Sequence, residues 1–308
     1  MALLLAGGVL LDLLLGEVRR WHPLVGFGNW ASAIERYSNH GRLRFWRGIA
    51  AWMLAVLPLV CATAWICGLA GFIAHALMLY FCIGLRSLRD HNLPIAKALL
   101  AGDLAHARLL TARIVSRDTT DANETDLAKA SVESLLENGN DAVFGTLFWF
   151  AVAGGPGAVL FRLANTLDAM WGYRNARFND FGKAAARIDD ALNYLPARLT
   201  ALSYVLLAPT TAGKRNAWFC WRTQAPAWSS PNAGPVMASG AGALGLALGG
   251  AATYDGQVEQ RPPLGSGAAA TAHDIVRAWR LVAHTTAWWV ACVAVPAALL
   301  YFYRSTHA

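Results

Sequence analysis

Apolar and polar positions in this chain separate into blocks instead of alternating at a strand period. Residues 3–15 form a first apolar run. As a helix it would be about 20 Å long, short of the ~30 Å hydrocarbon core of a bilayer. A turn-rich loop follows, broken by His22-Pro23, Gly26 and Gly28, and it ends in a basic segment with Arg42, Arg44 and Arg47. Residues 49–85 are nearly uncharged. That length is too great for one span and suits two helices turning near Gly68 and Gly71. Arginines flank the block on both sides, at 42–47 and 86–89, so the positive-inside rule puts both flanks in the cytoplasm.

Residues 115–141, VSRDTTDANETDLAKASVESLLENGND, are the densest run of ionisable and amide side chains. The spacing predicts a helix, with Asp121 and Glu124 in a capping-box-like relation and Gly139 as its stop. Asp126, Lys129, Glu133, Glu137 and Asn140 recur every three or four residues and would share one face. In a soluble protein such a face is ordinarily just solvated. Beside a membrane a carboxylate cluster more often carries function.

Residues 142–163 are long enough to span, but Gly154, Gly155, Pro156 and Gly157 interrupt them. Each arm is then about 16 Å, half a hydrocarbon core. We therefore expect a re-entrant helical hairpin, which returns the next polar segment, 164–198, to the cytoplasmic side. A plain span would put the 115–141 and 164–198 clusters on opposite faces. Residues 212–232 read as a loop, and 237–253 as a Gly/Ala-rich helix suited to close packing. Residues 254–280 read as polar loop, and 281–303 as the clearest single transmembrane helix, with Tyr301, Tyr303 and Arg304 at one end. The expected fold is all-α: one polytopic membrane domain over 1–308, with four to five membrane helices and helical cytoplasmic segments at about 86–141, 164–198 and 254–280.

Composition strengthens this picture. Charged residues make up 15% of the 308, against ~25% in ordinary soluble domains, and there are 13 Trp. The mean hydropathy is +0.36. The net charge of +7 comes from arginines flanking apolar blocks, not from a basic run interleaved with aromatics, so no nucleic-acid partner is implied. The five cysteines show no metal-ligand spacing and read as small hydrophobes. The N-terminus lacks a basic leader region and carries Asp12 within its apolar run, so we read it as part of the mature chain.

Standard nucleotide and hydrolase motifs are absent: there is no P-loop, GxSxG, HExxH or Rossmann fingerprint. Candidate chemistry lies in three dispersed clusters. The first is Arg117, Asp118, Thr119, Glu133, Glu137, Asn138 and Asp141. The second is Asn165, Asp168, Tyr173, Arg174, Asp189, Asp190 and Asn193. The third is Ser230 and Asn232 with Arg261. Carboxylates and amides with few Cys or His suit a hard cation such as Mg²⁺. Arg117, Arg174, Arg198 and Arg261 suit bidentate binding of phosphate or carboxylate. Each residue also has an ordinary alternative: Asp118 or Asn232 in a turn, Asp189-Asp190 as a solvated pair, His22 before Pro23 as a structural residue.

Read in order, DLLLGE and RWHPLVGFG, VSRDT, ASVESLLEN, the long block NTLDAMWGYRN.RF.DFG.AAAR.DD.LN..PARLTA, then SPNAG, AGALG and RPPLG resemble the adenosylcobinamide-phosphate synthase family of cobalamin biosynthesis. The resemblance covers about residues 10–267. Thr146 stands where the family commonly has Pro, and Ala169 where Ser often follows TLD; neither change removes an ionisable group. The resemblance implies an ATP-consuming ligase in a bacterial inner membrane, multi-pass, with its site on the cytoplasmic side. The enzyme would join a propionate carboxylate of adenosylcobyric acid to (R)-1-amino-2-propanol O-phosphate, or to aminopropanol. ATP, Mg²⁺ and the adenosylcorrinoid are the implied ligands, and association with other enzymes of the pathway fits such a role. On this reading Glu133, Glu137 and Asp168 hold Mg²⁺ and nucleotide phosphates, and Asp118 or Asp190 is the base. Arg174 and Arg198 bind the amine's phosphate, with Arg117 and Arg261 as further anion ligands. Asn165, Tyr173 and Asn193 contact substrate. Ser230, Asn232 and His22 line the corrinoid pocket. A polytopic transporter of a small polar or corrinoid solute is the alternative, with the broken helices lining a path.

Overall fold

The computed structural model describes residues 1–18, 22–254 and 256–306, with side-chain surroundings as far as 295. In chain order the elements are α1 (Ala2–Leu15), α2 (Pro23–Ser38), α3 (Arg44–Cys82), α4 (Leu85–Leu100), α5 (Leu104–Thr111), α6 (Glu124–Gly139), a π-helical turn (Asn140–Phe144), α7 (Gly145–Trp171), α8 (Lys183–Leu207), α9 (Thr211–Gln224), a 3₁₀ turn (Ala225–Ala227), α10 (Ala233–Leu244), β1 (Leu246–Tyr254), β2 (Gln257–Gly265), β3 (Ala268–Ala269) and α11 (Ala272–Thr306). The chain divides into two compact units. One comprises 1–84, 141–193 and 290–308; the other comprises 85–140 and 194–289.

In the first unit both long apolar helices are folded at a glycine. Gly71 in α3 has φ +59°, and Gly154 in α7 has φ +64°. These conformations suit a residue without a Cβ. In α7 the two arms close on each other, because a Cβ on Gly145 would strike the Phe161 ring. Along a straight helix those residues would lie roughly 24 Å apart. In α3, Cys67 and Met78, from either side of Gly71, both reach Gly155. The hairpin expected over 142–163 and the turn expected near Gly71 are therefore both present. His75 accepts the Gly155 N–H at 2.9 Å and sets its ring against Phe150, tying one fold-back to the other. Phe27, Ala31, Trp52, Ala55, Leu167 and Trp171 form the core beneath.

The second unit packs α4, α5 and α6 with α10, the later part of α8 and the strands. Helix α6 begins two residues later than the sequence spacing suggests, because the capping box is Asn123 with Asp126 and not Asp121 with Glu124. Gly139 does not stop the helix. Its bare Cα admits the Tyr204 hydroxyl and Val282, and the chain runs on through the π-helical turn into α7. Close packing, not a left-handed cap, explains that glycine. Helix α10 is buried along its length; Gly240 meets Leu136 of α6 and Gly242 meets the Ala217 backbone of α9.

The all-α expectation fails after Gly245. Residues 246–254, 257–265 and 268–269 form a sheet in the order β2-β1-β3, with β1–β2 antiparallel and β1–β3 parallel. The segment 254–280, expected as polar loop, thus holds strand at 257–265 and helix from Ala272. A bulge at Gly249/Gly250, both at positive φ, shifts the register and bends β1. Pro262 and Pro263 sit on β2, an edge strand, the position in a sheet where proline is tolerated.

Two helical stretches are long and apolar enough to cross a membrane, Arg44–Leu100 and Glu124–Trp171, among the described residues. This is fewer than the four to five helices expected. The expected span at 281–303 lies on α11, and its end at Tyr301, Tyr303 and Arg304 falls outside the residues whose side chains are described.

Candidate active site

The second unit holds a cleft of about 510 Å³. Glu133, 2% exposed, is at its base on α6. Arg117, from the loop before α6, pairs with Glu133 Oε2. Arg261, from β2, reaches the same carboxylate with both terminal nitrogens, at 3.0 and 3.2 Å. The bulge aims the Gly249 N–H at Glu133 Oε1, at 2.8 Å. Burial pushes the Glu133 carboxyl up, but Arg117 and Arg261 overcome it and hold the group below the usual carboxylate range. One buried carboxylate thus orders two guanidiniums, leaving a surplus positive charge. Arg261 also donates to the carbonyls of Gly249 and Gly250 and lies over the Trp228 ring, 5.5 Å from its centroid.

Glu137 stands one turn farther along α6 on the same wall. Burial, then the charge of Glu133, pushes its carboxyl up to about 7, with Arg117 and Arg261 only partly opposing. Unlike Glu133, its carboxyl accepts no hydrogen bond from the described residues. Trp228, Tyr254 and Met237 give the cleft an aromatic and apolar side, and Ser134 and Asn138 a polar one.

Several expected site residues have structural duties. Asp118 is exposed, and its Oδ1 accepts the Thr120 N–H at 2.9 Å, which holds its carboxyl low and makes it a poor base. Arg198 lies on the Tyr194 ring and donates to Asn232 Oδ1 at 2.5 Å and the Pro231 carbonyl at 2.8 Å. Ser230 Oγ takes the N–H groups of Asn232 and Ala233. Arg198, Ser230 and Asn232 therefore build the SPNAG loop. In the first unit His22 caps α2, its Nδ1 accepting from Leu24 N–H at 3.2 Å. Tyr173 and Arg174 are exposed in the loop after α7.

The first unit brings together a second set. Asp189 is buried and takes hydrogen bonds from Asn165 at 3.4 Å and Asn193 at 3.1 Å. Burial raises its pKa first, and Asp141 and Asp168 raise it further. Asp168, beyond the apolar stretch of α7, is pushed up to about 6 by burial and then by Asp190. Among the described residues no three Asp, Glu, His or Cys side chains converge as a metal cage. The trio Glu133, Glu137 and Asp168 divides between the two units.

A family model described as CobD/Cbib protein matches residues 5–282. The chain belongs to this family. A cobalamin biosynthesis protein CobD of Stutzerimonas stutzeri is 58% identical over 281 residues, covering 90% of this chain and 91% of the relative. One of Chromobacterium violaceum is 54% identical over 310 residues, covering 97% of each. One of Geobacter metallireducens is 37% identical over 268 residues, covering 83% of this chain and 84% of the relative. No solved structure matches. The family resemblance read from the polar blocks is thereby borne out, and the match includes both clusters.

Some residues that build the cleft and its supporting loops were missed by sequence reasoning. Glu35 takes Arg177 through two bonds, at 3.0 and 2.5 Å, and Asn39 and Arg44 hold the Arg177 carbonyl. This clasp fixes the loop that carries Tyr173 and Arg174. In the sequence Arg44 presents itself only as a charge flanking a span. Trp228, Tyr254 and Gly249 were also missed. The Asp-Gly pair at 255–256, between two runs with β-formers, was the available signal for the hairpin that places Tyr254 and Gly249.

Proposed function

We propose that the chain is an adenosylcobinamide-phosphate synthase, joining a corrinoid propionate carboxylate to aminopropanol or its O-phosphate in cobalamin biosynthesis. The observation that carries the reaction is the relationship: 54% identity over 97% of both chains to a protein named for that pathway. The cleft supports the residue assignment. A carboxylate and an amine do not condense unaided, and the amine must lose a proton to attack. Arg117 and Arg261, ordered by Glu133, bind an anionic group of a substrate. Glu137, poised near neutrality and open to the cleft, takes the amine's proton. Trp228 and Tyr254 offer faces to an apolar or conjugated group.

Mg²⁺ and ATP are the ligands this reading requires, and Mg²⁺ is usually held by one or two carboxylates with substrate phosphates. Asp168, half-buried, would hold the ion; Glu133 would not, because its oxygens are taken. Mg-ATP supplies, when bound, a phosphate leaving group for the carboxylate oxygen. The two apolar fold-backs support a membrane setting. The test is the product mass after incubating the purified protein with adenosylcobyric acid, aminopropanol phosphate and Mg-ATP. The amide adduct is expected; its absence from folded protein, with either amine, refutes the reading.

A further inference from the structure

Helix α9, TAGKRNAWFCWRTQ, has two unlike faces. Ala217 and Cys220 are buried against the unit. On the other side Trp218 is 49% exposed and Phe219 60%, with Lys214, Arg215 and Arg222 exposed around them. The Arg222 guanidinium lies 5.9 Å from the Trp218 ring centroid, and Trp221 packs edge-on against Trp218 at 5.4 Å. The helix carries three cations and no carboxylate. Two large exposed aromatics within such a ring are out of place in water. Trp is the residue that favours the boundary between headgroup and acyl chain, and Lys and Arg can lay their stems along it with the charge outward.

We infer that the outer face of α9 docks on an anionic lipid surface, with Trp218 and Phe219 entering the headgroup boundary and Lys214, Arg215 and Arg222 meeting lipid phosphates. Charge complementarity selects this occupant: a protein partner would need an acidic patch matched to one short helix, whereas an anionic bilayer offers negative charge over the whole plane. The consequence reaches the cleft. Gln224 grips Gly265 at the end of β2, donating to its carbonyl at 3.0 Å and accepting its N–H at 2.6 Å. Asn216 donates to the carbonyls of Gly242 and Ser266. The helix that would lie on the lipid thus holds the far end of the strand that carries Arg261.

The test uses the full chain with the photoreactive residue p-benzoyl-phenylalanine at position 219. It is reconstituted in nanodiscs of phosphatidylglycerol or of phosphatidylcholine and irradiated, and the adducts are read by mass. Each basic residue near an anionic surface changes partitioning roughly fivefold, so lipid adducts several-fold more abundant in phosphatidylglycerol are expected. The triple variant Lys214→Gln/Arg215→Gln/Arg222→Gln should lose that difference while keeping its elution volume and helix content. Equal adduct yield in the two lipids overturns the anionic assignment. Crosslinks to a polypeptide in cell membranes, to a second copy, or to nothing overturn the lipid surface itself.

Discussion

Glu133 and Glu137 sit one helical turn apart, yet their surroundings drive their chemistry in opposite directions. Glu133 is kept ionised by two guanidiniums and a backbone N–H; Glu137 is held near neutrality by burial and by the charge of Glu133. Removing the charge of Glu133 would leave Arg117 and Arg261 without their shared partner. Breaking a buried pair in this way costs on the order of 3 kcal/mol, so Glu133→Gln should lower the thermal midpoint in detergent as well as abolish turnover. Glu137→Gln should keep the fold and retain only a small residual activity. In the parent enzyme kcat/KM should rise through an apparent pKa near 7, and the variant should lose that rise. Stability moves the other way. The carboxyl titrates near 4.5 when unfolded and near 7 when folded, so its contribution is fully present below about pH 4.5 and is lost as pH climbs to about 7. Glu137→Gln should flatten that loss in a melting series against pH. Arg261→Lys keeps the charge but not the fork that spans both oxygens of Glu133, and KM for the anionic substrate should rise about tenfold.

Among the elements, the α7 hairpin depends on one backbone conformation. Gly154 lies at φ +64° with the His75 imidazole where a Cβ would stand. Gly154→Ala should therefore cost about 2 kcal/mol or more, read as a lowered midpoint of unfolding. His75→Ala tests the same joint by removing the acceptor for the Gly155 N–H. Much of this was legible in sequence: Gly154, Gly155, Pro156 and Gly157 in an apolar run mark a break, and the arm length argues for a fold-back. The strands were not legible by the same means. A Gly/Ala-rich segment reads as a close-packing helix, and residues 237–244 are one. The run then crosses Gly245, at φ +67°, into a strand with no change in composition. Hydropathy carries no sign of that boundary; only the Asp-Gly pair did.

At the scale of the whole molecule, the family match over residues 5–282 spans both compact units, so each belongs to the family's common architecture. The acidic set around Asp168 and Asp189 lies in one unit, and the Arg117–Glu133–Arg261 cluster in the other. Asp168→Asn should weaken the Mg²⁺ dependence of product formation and leave the melting curve nearly unchanged, since Asp168 is only half-buried. A change in melting without a change in the Mg²⁺ titration would remove the metal role.

By itself the sequence determined the family, the blocks of apolar and polar character, the break in each long apolar helix and the polar residues from which a site would be made. Those are local properties: hydropathy, glycine and proline placement, and residue identity at spaced positions. Only the tertiary structure decided which polar residues serve chemistry and which serve the scaffold. Arg198 and Arg261 are alike in sequence, each an arginine within two residues of a proline. One is spent on the Asn232 loop, the other on Glu133. The difference comes from partners 34 and 128 residues away along the chain, and no local pattern carries that information.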